Sequence, residues 1–210
     1  MKKIILLPAF LVILVYFINV SLLPAMTMNG FDLDQPLVAE DQIQRGGPPR
    51  DGIPSIDAPN FIDAADADFL KADDRVLGLV INKEARAYPL SILNWHEIVN
   101  DKFAGQAVII SFCPLCGTGM AFEPEPPVSE FGVSGLLYNS DVLLYDRETG
   151  SLWSQIMAKA INGPLKGKIL KQIPLTHTSW QDWKTKHPDS RVLSKDTGYK
   201  RVYSKSPYEC

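Results

Sequence analysis

The residues with the clearest chemical potential lie in Cys113-Pro114-Leu115-Cys116-Gly117, where two thiols stand three positions apart. One tight turn brings two such sulfurs to the same side, so that they can share a metal ion, close a small disulfide or exchange with another thiol. Pro114 restricts the turn, and Gly117 can adopt the positive φ that lets backbone N–H groups point at sulfur. A four-cysteine metal site would need a second pair, and only Cys210 remains.

Two histidines are candidate partners of the cysteine pair. His96 precedes the pair by seventeen residues on a predicted short helix, and His177 lies at the predicted start of the last helix. Two thiolates with one or two imidazoles make a tetrahedral or trigonal site that suits zinc or copper(I). We therefore predict that Cys113, Cys116, His96 and His177 bind a soft metal ion for structure, delivery or redox work.

The sequence leaves two other functions of the cysteine pair open. Cys113, with Cys116 as its redox partner, could be the thiol of an enzyme, which requires a reactive and accessible thiolate. The pair could instead form a structural disulfide in a binding or scaffold module. A thioredoxin-like arrangement is disfavoured because the residues over 117–120, Gly-Thr-Gly-Met, are a poor helix start. We expect the motif to cap a β-hairpin.

Other polar residues could orient metal ligands or face a substrate. Glu97 follows His96 directly, and Asp141, Asp146 and Arg147 lie in a polar stretch over residues 138–155. Adjacent carboxylates and an arginine can hold a ligand in place. The same residue types also suit two turns that satisfy their own backbones, and for the polar stretch this structural interpretation is favoured.

The elements that must position these groups are short and mostly β-type. A continuous apolar run over 107–112 predicts a strand buried on both faces that leads directly into Cys113. The pattern predicts an α+β, mainly β fold with short strands in antiparallel or mixed sheets and two or three short helices. The remaining strands are expected over 76–81, 85–90, 131–137, 142–145 and 168–173, and the helices over 61–70, 91–99 and 178–187.

The amino-terminal residues 1–28 have the pattern of a signal peptide or membrane anchor. Lys2 and Lys3 precede an apolar run without a charged side chain over residues 4–18. A cleaved signal and a short spanning helix both fit, and either keeps the lysines on the cytoplasmic side. We therefore expect an extracytoplasmic protein, in the periplasm or at the cell surface, with a possible membrane contact through this segment.

The rest of the chain divides into two parts. Glycine and proline punctuate residues 29–60, which predicts an extended, turn-rich arm, and residues 61–210 are expected to form a single mainly β domain. The chain has 24 acidic and 21 basic side chains, and its lysines and arginines form no run. Because nucleic-acid binding needs clustered positive charge, we do not expect a nucleic-acid partner.

From about residue 45 to its end, the chain resembles domain-of-unknown-function family 3179, a group of exported bacterial and archaeal proteins without an established activity. The ordered motifs that carry the resemblance are Gly46-Gly47-Pro48-Pro49, Asp51-Gly52-Ile53-Pro54, Ala85-Arg86-Ala87-Tyr88-Pro89, Asn94-Trp95-His96-Glu97, Cys113-Pro114-Leu115-Cys116-Gly117, Leu137-Tyr138-Asn139-Ser140-Asp141, Tyr145-Asp146-Arg147-Glu148-Thr149-Gly150 and His177-Thr178-Ser179-Trp180.

The resemblance implies that these segments belong to one domain, and it implies no reaction. Members of the family tend to continue beyond the region that corresponds to Ser206-Pro207-Tyr208. We therefore expect this chain to be a short form or a truncated reading frame. The partner of Cys210, if it has one, is left open.

Overall fold

A computed structural model describes residues 26–208, which form sixteen strands and two α-helices. The helices are α1 (Leu90–His96) and α2 (Trp180–Lys186). The strands are β1 (Met26–Met28), β2 (Phe31–Leu33), β3 (Ile43–Arg45), β4 (Phe61–Asp63), β5 (Arg75–Ile81), β6 (Glu84–Pro89), β7 (Ile98–Phe103), β8 (Gln106–Cys113), β9 (Thr118–Glu123), β10 (Phe131–Tyr138), β11 (Asp141–Asp146), β12 (Leu152–Ser154), β13 (Lys159–Asn162), β14 (Lys171–Ile173), β15 (Thr176–Ser179) and β16 (Arg191–Leu193).

Three sheets carry most of this structure, and β1 and β2 form a separate two-stranded ribbon. One five-stranded sheet has the order β13-β12-β11-β10-β3, the four-stranded sheet has the order β14-β9-β8-β7, and the other five-stranded sheet has the order β15-β5-β6-β16-β4. All the pairings are antiparallel except that of β6 with β16. The predicted α+β, mainly β fold with antiparallel and mixed sheets is thus confirmed.

The four-stranded sheet is packed on both of its faces, and β8 runs through its middle. On one face, Ile110 and Phe112 belong to a core shared with β5, β6 and α1. On the other face, Ile109 and Cys113 belong to a core shared with β10, β11 and β12. The predicted strand that is buried on both faces is confirmed, because alternate side chains of one apolar run enter two different cores.

Several predicted elements are present close to their expected bounds. Asn82 and Lys83, with φ of 50° and 70°, form the tight turn between β5 and β6. This left-handed pair is the conformation that a two-residue hairpin requires. At the last helix, the Ser179 hydroxyl accepts a hydrogen bond from the Asp182 N–H at 3.1 Å and caps the first turn.

The helix predicted over 61–70 is wrong. Residues 61–63 form β4, which pairs with β16, and a short 3-10 turn follows over 64–66. The helix predicted over 91–99 ends earlier, at His96, because Glu97 has a left-handed backbone with φ of 57°. The next six residues form β7 and pair with β8. In both segments, strand pairing overrides the local helical pattern: β4 pairs with a strand distant in sequence, and β7 forms a hairpin with the next strand.

The turn-rich residues 29–60 run along the sheets. Their strand β3 pairs with β10, and Ile56 makes a parallel bridge with Val99 at the start of β7. The predicted leader lies outside the described residues except for residues 26–28, which form β1, and Cys210 also lies outside them. Within residues 26–208, neither α-helix is long and apolar enough to cross a membrane.

Candidate metal site at the cysteine turn

The two cysteines lie at the turn that joins β8 to β9. Cys113 is the last residue of β8 and pairs with Thr118, the first residue of β9. The Gly117 N–H donates to the carbonyl oxygen of Cys113 at 2.8 Å, and Gly117 has a φ of 70°. A residue with a side chain would be strained in this conformation. The motif therefore caps a β-hairpin, as its sequence predicted.

A second turn brings a carboxylate to the cysteine pair. Asn139 and Ser140 form the tight turn between β10 and β11 with φ of 50° and 65°, and Asp141 follows at the start of β11. Asp141 Oδ1 lies 3.4 Å from the sulfur of Cys116. One carboxylate oxygen of Asp141 and the sulfurs of Cys113 and Cys116 all lie within 4.8 Å of one another. In the described part of the chain, no other three ligand-type side chains converge in this way.

The three donor atoms differ in their access to water. Cys113 is fully buried, Asp141 is buried with 5% of its surface exposed, and Cys116 is exposed. Burial, with a smaller contribution from the neighbouring Cys116, raises the pKa of the Cys113 thiol to about 12. Burial also raises the pKa of Asp141. Both thiols are free, so the group is a set of close, uncrosslinked donors that is open to solvent on the Cys116 side.

The family comparison extends over this site. A model of the family described as "Protein of unknown function (DUF3179)" matches residues 50–210. The chain belongs to the DUF3179 family. No curated protein and no solved structure matches it. The resemblance inferred from the motifs is confirmed, and both site-forming turns lie inside the matched DUF3179 region.

Gln155 lies behind the cysteine turn of this DUF3179 domain, and the sequence did not single it out. Its side-chain amide donates to Ser111 Oγ at 2.9 Å and to the Thr118 carbonyl at 3.4 Å. Its carbonyl oxygen Oε1 is buried and has no hydrogen-bond partner among the described residues. The next residue, Ile156, donates its N–H to Asp141 Oδ2 at 3.0 Å. The segment after β12 therefore orients both Asp141 and the hairpin.

Neither predicted histidine ligand belongs to the group of donors. His96 is buried, with Nδ1 2.8 Å from the carbonyl oxygen of Pro54 and Nε2 2.8 Å from the hydroxyl of Tyr203. Because the carbonyl can only accept, Nδ1 carries the proton and Nε2 accepts from Tyr203. His177 is exposed, and its Nε2 donates to the Gly119 carbonyl at 3.1 Å. Both rings are engaged elsewhere, so they stand outside the ligand set that the geometry supports.

Glu97 lies beside the cysteine turn but outside the group of donors. Its carboxylate accepts a hydrogen bond from the Tyr208 hydroxyl at 2.7 Å, and burial raises its pKa to about 7. Together with Leu115 of the cysteine turn and Tyr208, Glu97 lines a cavity of about 70 Å³. Its own backbone carbonyl accepts from the N–H of Phe112, next to Cys113.

Asp146 and Arg147 have partners of their own. Asp146 is fully buried and accepts hydrogen bonds from the Thr149 N–H at 2.6 Å and from the indole N–H of Trp153 at 2.8 Å. Arg147 donates to Ser55 Oγ at 2.8 Å and to Asp57 Oδ2 at 3.2 Å. The contacts of Asp146 close a turn, and those of Arg147 attach the turn-rich arm over residues 29–60. This is the structural role that the sequence of the polar stretch favours.

Proposed function

We propose that this DUF3179 protein binds a soft or borderline metal ion outside the cytoplasm, with Cys113, Cys116 and Asp141 as its protein ligands. The observation that carries this proposal is the convergence of the three donor atoms within 4.8 Å. Ligand atoms that each lie about 2.0–2.3 Å from one ion are separated by no more than about 4.6 Å. Only small side-chain movements are therefore needed for one ion to contact all three.

The donor types favour zinc over copper(I). Copper(I) selects soft thiolate and thioether ligands, whereas zinc accepts both cysteine sulfur and carboxylate oxygen. Asp141 supplies the harder donor. The hydrogen bond that its carboxylate accepts from the Ile156 N–H holds this side chain in place. Copper(I) bound by the two thiolates alone is the outcome to be distinguished by experiment.

Three protein ligands also favour a site with a free coordination position. Structural zinc sites are closed by four protein ligands, whereas sites that exchange or activate a ligand keep one position for water or substrate. Cys116 is exposed, so an incoming molecule can reach this side. The proposal is therefore a site for delivery or chemistry rather than a purely structural one.

The environment of Cys113 supports metal binding over a nucleophilic thiol. A reactive cysteine has a lowered pKa, which a nearby cation or a helix amino terminus provides. Burial instead raises the pKa of Cys113 to about 12, and no cation is among the groups that shift it. A metal ion displaces the thiol proton directly, because it binds the thiolate and adds positive charge.

Dithiol redox exchange is a second candidate function, which the pairing of an exposed with a buried thiol favours. The Cys116 sulfur would attack one sulfur of a substrate disulfide and release the first thiol. The Cys113 sulfur would then displace the second thiol and form a Cys113–Cys116 disulfide. The two protons and two electrons of the cysteines pass to the substrate, which is reduced to two thiols.

Metal binding can be tested on protein purified anaerobically in a Cys210→Ser background, which removes the remaining thiol. We expect one equivalent of zinc, and cobalt(II) in its place should show thiolate charge-transfer absorption. Cys113→Ser and Cys116→Ser should abolish this absorption, and Asp141→Asn should weaken zinc binding by at least about tenfold. Asp189→Asn, an exposed aspartate outside the group, is the matched control.

The outcomes separate the two candidates. Failure of the protein to take up zinc or copper(I) stoichiometrically, or unchanged uptake by Cys113→Ser, would overturn the metal proposal. Redox function predicts instead that either serine substitution abolishes the equilibrium with a glutathione buffer, whereas Asp141→Asn shifts this equilibrium without abolishing it, because Asp141 Oδ1 contacts the Cys116 sulfur. Uptake of copper(I) with no effect of Asp141→Asn would restrict the ligands to the two thiolates.

The extracytoplasmic location is part of the same proposal and rests on the pattern of residues 1–28. Fusion of alkaline phosphatase after the leader gives a direct test, because this enzyme is active only when it is exported. We expect activity from a fusion that contains residues 1–30 and none from a fusion in which the apolar run is deleted. An inactive fusion that nevertheless accumulates as intact protein would contradict export.

A further inference from the structure

A separate cavity of about 630 Å³, widely open to solvent, is lined by the loop that follows β16. Its lining comes from residues 195–204 and includes none of the residues of the cysteine turn. Pockets for small molecules have volumes of about 300–1,000 Å³, so this cavity has room for a ligand of several heavy atoms. Neither the sequence motifs nor the proposed metal site uses it.

Positive charge is concentrated at this cavity. Lys195, Lys200 and Arg201 line it, and none of them forms a salt bridge within the described residues. The only acidic residue of the loop, Asp196, accepts from the side-chain amide of Asn60. Three cations without a salt-bridge partner among the described residues therefore line one cavity, although the formal charge of the chain is −3.

The loop that lines the cavity is held in shape by hydrogen bonds, some of them buried. The Tyr203 hydroxyl lies 2.8 Å from His96 Nε2 and 2.6 Å from Thr197 Oγ1. The indole N–H of Trp95 donates to the Lys205 carbonyl at 2.9 Å and anchors the far end of the loop. A loop fixed in this way presents its charges without the full ordering cost of a flexible segment.

Arg201 lies close to the residues of α1 that hold this loop. Burial lowers the pKa of His96, and the positive charge of Arg201 lowers it further. The guanidinium also lies 5.8 Å from the ring centroid of Trp95. Arg201 therefore lines the cavity and also lies close to two residues of α1, Trp95 and His96, that contact the loop.

We propose that this cavity binds a small multivalent anion that carries phosphate or carboxylate groups. Arg201 supplies the planar fork that matches such groups, and Lys200 and Lys195 add point charges. Tyr199, of which 43% is exposed, offers a ring at the cavity against which the body of the ligand can pack. The concave shape and small number of cations favour a small molecule over a polymer, which needs an extended basic surface.

The proposal can be tested by titrating the full chain with pyrophosphate and with citrate in a calorimeter at low ionic strength. We expect saturable binding that weakens as salt is added, because the contacts are between charged groups near the surface. The double variant Lys200→Gln/Arg201→Gln should lower the affinity by about tenfold or more. The charge-matched control Lys102→Gln/Lys186→Gln, which alters two exposed lysines outside the cavity, should bind as the wild type does.

Further variants and probes keep the test decisive. Thermal unfolding checks that each variant is folded, and Arg201→Lys, which keeps the charge but loses the fork, should retain part of the affinity. Absence of saturable binding to either anion, or an equal loss in the control, would overturn the proposal. Binding to phosphatidylglycerol vesicles without binding to pyrophosphate or citrate would also overturn it, since the ligand would then be a membrane surface.

Discussion

Asp141 and Asp146 begin and end the same strand, β11, and both are buried, but their carboxylates have different surroundings. Asp146 accepts hydrogen bonds from the backbone and hydroxyl of Thr149 and from the indole of Trp153. Asp141 accepts one backbone N–H from Ile156, and its other oxygen faces the sulfur of Cys116. A carboxylate surrounded by donors stabilises the fold, whereas one that faces other ligand atoms can bind a cation.

The largest expected effect is a difference between Asp141 and Asp146 in how much each side chain contributes to the free energy of unfolding. In metal-free protein, Asp146→Ala should lower the free energy of unfolding by about 3 kcal/mol or more, because it leaves the half-buried donors of Thr149 and the buried indole N–H of Trp153 unpaired. Asp141→Ala removes one backbone hydrogen bond and the weak hydrogen bond from the Cys116 thiol, and it should lower the free energy of unfolding by about 1–2 kcal/mol. Urea denaturation of both variants measures the difference. Equal losses would show that Asp141 is as structural as Asp146.

Glu97 is an intermediate case, since it is buried with a single donor, Tyr208. Burial raises its pKa from 4.5 to about 7 in the folded protein. The folded state therefore holds the proton more tightly than the unfolded state, and stability should fall as the pH rises from about 4.5 to about 7, by up to about 3 kcal/mol. Glu97→Gln should flatten this fall.

The measurement for Glu97 is the midpoint of urea denaturation as a function of pH, with Glu84→Gln as the control at a more exposed glutamate. If Glu97→Gln loses as much stability as the wild type between pH 4.5 and 7, other groups cause the dependence of stability on pH. A steeper fall in the variant would contradict the assigned direction of the shift.

The third expected effect is a difference between Asp141 and Asp146 variants in how much zinc stabilises the folded protein. Zinc at about one hundred times its dissociation constant should stabilise the wild type by about 2.7 kcal/mol, because it binds the folded state. Asp141→Asn should lose most of this stabilisation by zinc. Asp146→Asn should keep it, although this variant is less stable than the wild type in the absence of zinc. Thermal unfolding with and without zinc measures both. Equal stabilisation of the two variants by zinc would remove Asp141 from the ligand set.

Much of the cysteine turn could be predicted from local sequence. Gly117 favours a turn with positive φ, the apolar run before Cys113 favours a strand buried on both faces, and both predictions depend only on neighbouring residues. The partner ligand could not be predicted in the same way. His96 was chosen because imidazole is a common ligand, yet the fold places both of its ring nitrogens against Pro54 and Tyr203.

The same distinction holds for secondary structure. The hairpin at Asn82-Lys83 is specified by two residues that tolerate its geometry. The helix predicted over 61–70 failed because β4 finds a partner in β16, about 130 residues later in the chain. Local propensity is a weak term compared with the hydrogen bonds and burial that such pairing provides.

The sequence by itself determined the two thiols at one turn, the short β-type elements and the family, because each of these depends on residues close together in the chain. Only the tertiary structure brought Asp141 to the cysteines, engaged the histidines elsewhere and gathered the cations of residues 195–201 around a cavity. The first of these relations is set by how β10 and β11 pack over β8 and β9, and the others by the arm, β15 and the loop after β16. Spacing along the chain carries little information about such long-range packing.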